Sequence, residues 1–460
     1  MPRLDQWIAH QYRHAAAQML LSISPVGIVR TRAGFGQQVR PLPGAIVASP
    51  VPGSYDPDPD YFFHWYRDSA VVIDALRLLL VQSDTAGSLE RGHFADFVHF
   101  SLALADLDGR ALVASRLWRE RVAPPFQRYL RTDAELAAAH GEALAGETRV
   151  NPDGTLDISR WARPQHDGPA LRALALLRWS AVGDFDGSLQ ADMAKLLRAD
   201  LAYTLWHAGE ACFDIWEEES GLHYYTLRVA AAALEQGAAW LEGTDAGGID
   251  GAAPAAGQCR IQARHLLERL DGYWLAQAGY YRSRLLPSGE PSPKELDIAV
   301  ILAALHSDDP LARGSGAAHD VNDPRMHATL ERLAAFFDAE YPINQARGAT
   351  RAPALGRYPG DHYYSGGAYY FSTLAAAELC YRAARDPHGA ADAAAALRRR
   401  GDAFLETVRA YTPASGELAE QFDQRTGQPT SARQLAWSYA AFISCISARR
   451  ALHGLPATCA

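Results

Sequence analysis

The chain has 460 residues, of which 48% are hydrophobic and 21% charged, and its formal net charge is −9 at pH 7. This composition is typical of a folded globular protein and excludes a disordered chain, while the acidic balance disfavours a nucleic-acid partner. The sequence contains no apolar run of about eighteen residues, so no membrane span is expected. The apolar stretch 18–29 is short and interrupted by Ser and Pro, which argues against a signal peptide and favours a cytoplasmic location.

Helical apolar spacing dominates the chain from beginning to end. We predict one domain that spans 1–460, in which residues 1–58 form an N-terminal lead-in helix and loop. Stretches rich in Ala and Leu then predict helices over 170–182, 230–241, 297–306 and 368–384. Strand signals are scarce, because only 37–41 and 279–286 suggest short hairpins. We therefore predict an all-α fold without a central sheet.

A second pattern repeats about six times: a polar, aromatic loop ends in an acidic or capping residue, and an Ala-rich helix follows. Asp167 is a candidate N-cap, and Ser431 with Gln434 matches an S-x-x-Q capping box. If alternate helices line a closed ring, the six loops converge on one face around a pocket. This arrangement is an (α/α)6 barrel, or toroid. The loops are YFFHWYRDS, WARPQHDGP, FDIWEEESG, PSPKELD, GRYPGDHYY and ELAEQFDQRTGQPTS.

The cysteine pattern predicts neither a metal site nor a cofactor. No CxxC pair or Cys/His cluster is present, so reduced thiols are expected. Cys380 and Cys445 lie within Ala-rich periodic runs, where a cysteine behaves as a small buried hydrophobe. The five cysteines are Cys212, Cys259, Cys380, Cys445 and Cys459.

Two acidic segments carry the candidate chemistry. Glu217 follows a tryptophan among three other carboxylates, so burial and like-charge crowding are expected to raise its pKa and retain a proton. Glu420 lies in a second polar stretch, where hydrogen bonding and partial solvation are expected to keep it ionised. An acid and a base of this kind are what cleavage of a glycosidic bond requires. Taken alone, such a segment is usually a solvated surface, because Asp and Glu are mostly exposed. The other motifs of the chain favour the catalytic interpretation.

Several motifs between Pro59 and Phe442 resemble, in the same order, those of the glucoamylases of glycoside hydrolase family 15. The motifs are PDYFFHWYRDS, RWARPQHDGPALRA, FDIWEEE, GRYPGDHYYSGGAYYFSTLAAAE and LAEQFDQRTGQPTSARQLAWSYAAF. The resemblance implies an (α/α)6 barrel that removes glucose from the non-reducing ends of α-glucans or short α-gluco-oligosaccharides with inversion of the anomeric centre. Glu217 then corresponds to the general acid and Glu420 to the general base, with their carboxyl groups roughly 6.5 to 9.5 Å apart.

The resemblance also implies the substrate contacts. Arg67 and Asp68 would grip hydroxyls of the terminal glucose together with Arg357. Arg163 and Glu218 would either contact the neighbouring sugar or hold the loop of the acid. A further group would line the pocket with aromatic faces, although core packing is an equally good interpretation of Trp437. This group is Tyr61, Trp65, Trp161, Trp216 and Trp437.

Gln421 would orient the water or a substrate hydroxyl. The linkage stays open between α-1,4, α-1,6 and the α,α-1,1 bond of trehalose. A phosphorylase of the same fold and a non-catalytic carbohydrate-binding relative are the weaker alternatives, because both carboxylates are present. The sequence ends soon after the last motif, so no starch-binding module is expected.

Overall fold

The computed structural model describes residues 4–53, 58–82, 87–115, 117–244, 254–314, 316–386 and 388–452. Cys459 lies outside these residues. The helices are α1 (Leu4–Leu20), α2 (Tyr66–Val81), α3 (Ser88–Ala103), α4 (Gly109–Ser115), α5 (Leu117–Glu120), α6 (Asp133–Ala137), α7 (Asp167–Ser180), α8 (Gly187–His207), α9 (Tyr224–Thr244), α10 (Ala256–Asp271), α11 (Ala299–Ser307), α12 (Pro324–Glu340), α13 (Pro342–Gln345), α14 (Tyr370–Ala383), α15 (Ala391–Tyr411) and α16 (Ala436–Ala451).

Six of these helices form a closed inner ring. In chain order α2, α7, α9, α11, α14 and α16 each pack against the next, and α16 packs against α2 to close the ring. They are apolar on nearly every face, as expected for helices surrounded by others. All fourteen residues of α14 are buried, for example. The many alanines keep the side chains short, which allows neighbouring helices to pack closely.

Six further helices form an outer layer around this ring. They are α1 against α16, α3 against α2, α8 against α7, α10 against α9, α12 against α11 and α15 against α14. Their apolar stripes face inwards and their charged residues face solvent, as in α15, where five of 21 residues are buried. The predicted (α/α)6 toroid is confirmed. Within the described residues, no helix combines the length and apolar character needed to cross a bilayer.

Short antiparallel strands connect the loops that precede the inner helices. They are β1 (Arg30–Arg32), β2 (Gln37–Val39), β3 (His64–Trp65), β4 (Arg149–Val150), β5 (Cys212–Phe213), β6 (Ser220–His223), β7 (Trp274–Leu275), β8 (Tyr280–Tyr281), β9 (Arg284–Leu285), β10 (Ala368–Tyr369), β11 (Gln421–Phe422) and β12 (Pro429–Thr430). The pairings are β1 with β2, β3 with β4, β5 and β9 with β6, β7 with β8, and β10 and β12 with β11. Pairings such as β3 with β4 and β10 with β11 join loops that are distant in sequence.

Three local predictions differ from the structure. Residues 279–286 do not form one hairpin, since β8 pairs with β7 whereas β9 pairs with β6. Asp167 is the first residue of α7 rather than its cap, and its carboxylate accepts a hydrogen bond from Arg67. Helix α16 begins at Ala436, so Ser431 and Gln434 form no capping box. Asp167 meets a partner from another loop, and Ser431 meets Glu420 across the β11–β12 hairpin of its own loop; the local capping patterns reveal neither contact.

The four described cysteines are free and buried, as expected for small core residues. Cys380 and Cys445 are fully enclosed between helices of the inner ring and their outer partners. Burial raises the pKa of the Cys380 thiol to about 12. A thiol of this kind is chemically inert at neutral pH.

Candidate active site

A pocket of about 220 Å³ opens where the loops enter the inner helices. Its walls come from the loops before α2, α7, α9, α14 and α16, so five of the six predicted loops meet there. Most of the residues singled out in the sequence line it together. They are Tyr61, Trp65, Arg67, Asp68, Trp161, Trp216, Glu217, Glu218, Arg357, Glu420 and Trp437.

Glu217 lies at the tip of a tight turn between β5 and β6. Its φ is 64°, a left-handed conformation that is uncommon outside glycine and that surrounding contacts have to impose. Asp214 supplies such contacts, because its main-chain oxygen accepts from the amide of Glu217 and its carboxylate accepts from the amides of Glu218 and Glu219. The turn therefore directs the Glu217 side chain into the pocket.

The Glu217 carboxyl is held from two sides. Its Oε1 accepts from Trp65 Nε1 at 2.7 Å and from an Arg67 guanidinium N–H at 2.9 Å. Its Oε2 accepts from Trp161 Nε1. Since a carboxyl group has about four lone-pair positions, these three donors leave one for a proton or a ligand.

The expected crowding of Glu217 by like charges is wrong. Each neighbouring carboxylate turns towards a cation: Asp214 and Glu219 towards Arg284, and Glu218 towards Arg357 and Lys294. These cations come from the loops before α11 and α14. The sequence around 217 contains four acidic residues, but it does not show where three of them point.

The environment of Glu420 also differs from the expected one. Glu420 lies within the pocket wall, where burial raises its pKa to about 7. Two hydroxyl groups hydrogen-bond to it, Tyr61 Oη at 3.4 Å from Oε1 and Ser431 Oγ at Oε2. The effect of burial on the pKa outweighs these hydrogen bonds, so the expectation that hydrogen bonding and partial solvation keep this carboxyl ionised is not met.

Arg67 and Asp68 form the charged base of the pocket at the start of α2. Arg67 donates to Gln165 and Asp167 at 3.0 Å each in addition to Glu217, which fixes its guanidinium. Its Nε has no hydrogen-bond partner among the described residues. Burial raises the pKa of Asp68 to about 6. Both groups are desolvated and available to polar ligand atoms at the bottom of the pocket.

Arg357 faces them across the pocket and is held by a bidentate pair with Asp361, at 2.7 and 2.5 Å. The rings of Trp216, Tyr358 and Tyr363 surround its guanidinium, with centroids 5.1 to 5.3 Å away. Such a cage fixes the orientation of the guanidinium plane.

The aromatic walls differ in what their polar atoms do. Trp216 donates its N–H to Asp297 at 2.8 Å, behind the wall. Trp437 stacks on Phe371 with ring centroids 4.7 Å apart, and its buried Nε1 has no partner among the described residues. One face of the Trp437 ring thus packs against the core, and its N–H group lacks a hydrogen-bond acceptor among the described residues. Trp161 is 40% exposed and forms the rim.

Two predicted substrate-binding residues do not line the pocket. Arg163 pairs with Glu147 and Asp157 behind the rim. Gln421 is fully buried, where it donates to Tyr369 Oη at 2.7 Å and accepts from Ser365 Oγ at 3.3 Å. Among the two roles suggested for Arg163, this placement favours holding a loop.

The family model for glycosyl hydrolases family 15 matches residues 34–91 and 141–447. The chain belongs to glycoside hydrolase family 15. It is 28% identical to Glucoamylase-1 of Arthroderma benhamiae, over 89% of this chain and 65% of that protein, just under two thirds of its length. It is 26% identical to the probable glucoamylase of Schizosaccharomyces pombe, over 98% of this chain and 93% of that protein. The solved family 15 glucoamylase from Hypocrea jecorina superposes with a TM-score of 0.77 at 25% identity, covering 98% of this chain and 73% of the other.

Several residues in or around the pocket were not identified from the sequence. Ser431 was interpreted as a helix cap, although it lies in a family motif close to Glu420. Tyr363, which hydrogen-bonds to Tyr61 at 2.8 Å, also lies in a motif and could have been found. Arg284 and Asp297 lie outside every family motif, although Asp297 ends the loop PSPKELD, and their contacts show that they support the turn that contains Glu217. Among the described residues, no cluster of three or more His, Cys, Asp and Glu side chains is suited to a metal ion.

Proposed function

We propose that this family 15 hydrolase is exo-acting and inverting, and that it releases β-D-glucose from the non-reducing ends of α-glucans or short α-gluco-oligosaccharides. One observation carries the proposal: Glu217 and Glu420 line one small pocket with the buried polar groups of Arg67, Asp68 and Arg357. The names of the relatives, glucoamylases from several fungi, support the same substrate class.

In the proposed reaction, Glu217 donates its proton to the glycosidic oxygen while the bond from that oxygen to the anomeric carbon breaks. Glu420 accepts a proton from a water molecule, whose oxygen forms the new bond on the opposite face of the ring. The leaving sugar departs as a free alcohol, and glucose departs as the β-anomer. Exchange with solvent returns the proton from Glu420 to Glu217. Tyr61 and Ser431 orient the base, while Trp65, Trp161 and Arg67 orient the acid.

Selectivity for a terminal glucose follows from the polar base of the pocket. Arg67, Asp68 and Arg357 form charge-assisted hydrogen bonds with sugar hydroxyls, and a missing hydroxyl would leave a buried charge unpaired. The Nε1 of Trp437 is a further donor for a hydroxyl. Glu218 and Trp161 lie nearer the rim, where the second sugar binds. Residues of α2 and α16 line this polar part of the pocket, and we expect a chain to enter by its end.

The first test is a substrate panel followed by proton NMR: maltose, isomaltose, longer maltooligosaccharides, dextran and trehalose. We expect β-glucose to appear first, and the ranking of the substrates identifies the linkage. Initial release of α-glucose would contradict inversion. Faster turnover with added phosphate, together with formation of a sugar phosphate, would establish a phosphorylase instead.

The second test removes each carboxyl separately. Glu217→Gln and Glu420→Gln are each expected to lower kcat on maltose by about 10³-fold or more while maltose still binds. Glu331→Gln is the matched control, because this glutamate pairs with Arg400 on the outer surface, well away from the pocket. Activity of either pocket variant close to that of the control would refute the assignment.

A further inference from the structure

Arg149 lies directly behind the two tryptophans that hold Glu217. It is on β4 and pairs in register with Trp65 on β3, so the two side chains are cross-strand neighbours. Its guanidinium carbon lies 3.5 Å from the ring centroid of Trp161, 4.7 Å from that of Trp65 and 4.0 Å from that of Phe63. Arg149 is only 3% exposed, although Trp161 is at the rim.

The orientation of Arg149 is fixed from its other side. Its Nε donates to Asp157 at 2.9 Å and one NH2 group donates to Ser159 Oγ at 3.2 Å. With its edge held in this way, the flat face of the guanidinium is presented to the rings. A cation at this distance from an indole face is attracted by the ring quadrupole, most strongly where water is excluded.

Arg149 belongs to a buried cluster in which cations outnumber carboxylates. Arg131 and Arg163 both pair with Glu147, while Arg163 and Arg149 both pair with Asp157. Three guanidinium groups thus share two carboxylates, so the cluster keeps a net positive charge. Arg149 places part of this charge beside the rings of Trp65 and Trp161. Positive charge over an indole draws electron density from the ring and makes its N–H a stronger donor.

The N–H groups of these two indoles donate to opposite oxygens of one carboxyl group. Trp65 donates to Oε1 of Glu217 and Trp161 to Oε2. The two indoles therefore set both the position and the rotation of the carboxyl plane. Because Trp161 is exposed at the rim, Arg149 is the buried contact that fixes its ring.

We propose that Arg149 is a positioning residue for Glu217: it holds Trp65 and Trp161 by cation–π contacts, so that their N–H groups align the carboxyl for proton transfer to the leaving group. This inference rests on the proposed role of Glu217 as the general acid. It differs from a purely structural role in one consequence. Loss of Arg149 should impair reactions in proportion to how much the leaving group needs a proton.

The experiment compares two substrates in Arg149→Met, which retains side-chain length but not the charge. Maltose needs protonation of its leaving oxygen, whereas the fluoride of α-D-glucosyl fluoride departs with little help from an acid. We expect kcat on maltose to fall about 10- to 100-fold, the usual cost of a slightly misplaced catalytic group. On the fluoride, kcat should change by less than about threefold, with KM for both substrates nearly constant. Equal losses on both substrates would overturn the proposal.

Two further variants keep the test decisive. Arg149→Lys retains the charge without the planar face, so we expect the same preference for the fluoride with a smaller loss, about 3- to 10-fold on maltose. This variant serves if Arg149→Met does not fold. Arg131→Met removes a guanidinium from the same cluster without touching an indole and should affect both substrates equally. A preference for the fluoride in Arg131→Met as large as in Arg149→Met would refute a specific role of Arg149.

Glu217→Gln separates this inference from the proposed function. If Glu217 is the acid, this variant loses activity on maltose but retains much of it on the fluoride. Failure of that result would remove the proposed role of Glu217 itself. If Glu217→Gln discriminates between the substrates and neither Arg149 variant does, the acid assignment stands and only the role of Arg149 is rejected.

Discussion

Ser431 donates its hydroxyl proton to Oε2 of Glu420 from a backbone with φ of 64°. A hydrogen bond to a carboxylate favours its charged form, and here it opposes the burial that raises the pKa of Glu420 to about 7. The left-handed backbone at Ser431 brings the hydroxyl to the base instead of to the start of α16. One residue thus adjusts the proton affinity of a group eleven positions earlier in the chain.

This relationship predicts a pH dependence. In the proposed reaction Glu420 is a base only when ionised, so kcat/KM on maltose should fall as the pH drops below about 7 in the wild type. Ser431→Ala removes a contact that favours the ionised form, which raises the pKa of Glu420 further. The acid limb of the pH profile, where kcat/KM falls, should therefore move to higher pH. The measurement is kcat/KM against pH. Ser438→Ala, which removes a buried serine that donates to Ala419 rather than to Glu420, should leave the limb where it is. A shift of the limb to lower pH in Ser431→Ala would contradict this account.

Arg357→Lys tests the charged wall. Lysine cannot form the bidentate pair with Asp361 or fill the aromatic cage, so the contacts to the terminal sugar should weaken. We expect kcat/KM on maltose to fall about 10- to 100-fold, since hydrogen bonds of charged groups contribute about 1.5 to 3 kcal/mol. Steady-state kinetics provides the measurement. Arg351→Lys, at an arginine that lies over Tyr411 outside the pocket, is the control and should stay near wild type.

Arg284→Met tests the support of the turn that contains Glu217. Arg284 is buried between Asp214 and Asp297, and its loss leaves two buried carboxylates without their cation. Breaking a buried pair in this way costs about 3 to 5 kcal/mol of stability. Chemical denaturation measures this loss. Arg260 forms an exposed pair with Glu242 at 2.6 Å, so Arg260→Met is the control and should cost less than about 1 kcal/mol. Similar losses in the two variants would show that the buried network does not support the turn.

Trp179→Ala tests the packing between the two helical layers. Trp179 on α7 is fully buried, stacks on Phe94 of α3 with centroids 4.2 Å apart, and donates to the main-chain oxygen of Ile73 at 2.8 Å. Its removal should lower the free energy of unfolding by about 3 to 5 kcal/mol. Trp206→Ala is the matched control, because this tryptophan is 67% exposed and its loss should change stability by less than about 0.5 kcal/mol. Comparable losses would mean that the layers are not held by such contacts.

Much of the architecture could be predicted because it depends on local periodicity. The apolar spacing of 368–384 identifies a buried helix, and the observed α14 lies within that range. The six loops were recognised since each combines aromatic and polar residues directly before such a helix. The convergence of five of them on one pocket then follows from the alternation of inner and outer helices in a closed ring.

The orientation of individual side chains could not be predicted in the same way. Glu217 stands among acidic neighbours in the sequence, yet these neighbours turn to Arg284, Arg357 and Lys294. Ser431 matches a capping pattern but contacts Glu420. The cations that pair with the acidic neighbours belong to other loops, and Glu420 lies across the β11–β12 hairpin from Ser431. The energy of a charge or hydroxyl depends on its distance to such a partner.

The sequence by itself therefore determined the helical repeat, the family motifs and the two acidic segments that contain Glu217 and Glu420, because these depend on residues close together along the chain. The tertiary structure alone decided how each carboxyl is surrounded. The surroundings of Glu420 raise its pKa, and Glu217 is held between two indoles that contact Arg149, because ring closure brings loops that are far apart in sequence into contact. Burial and electrostatic interaction depend on spatial distance, which a linear order of residues does not contain.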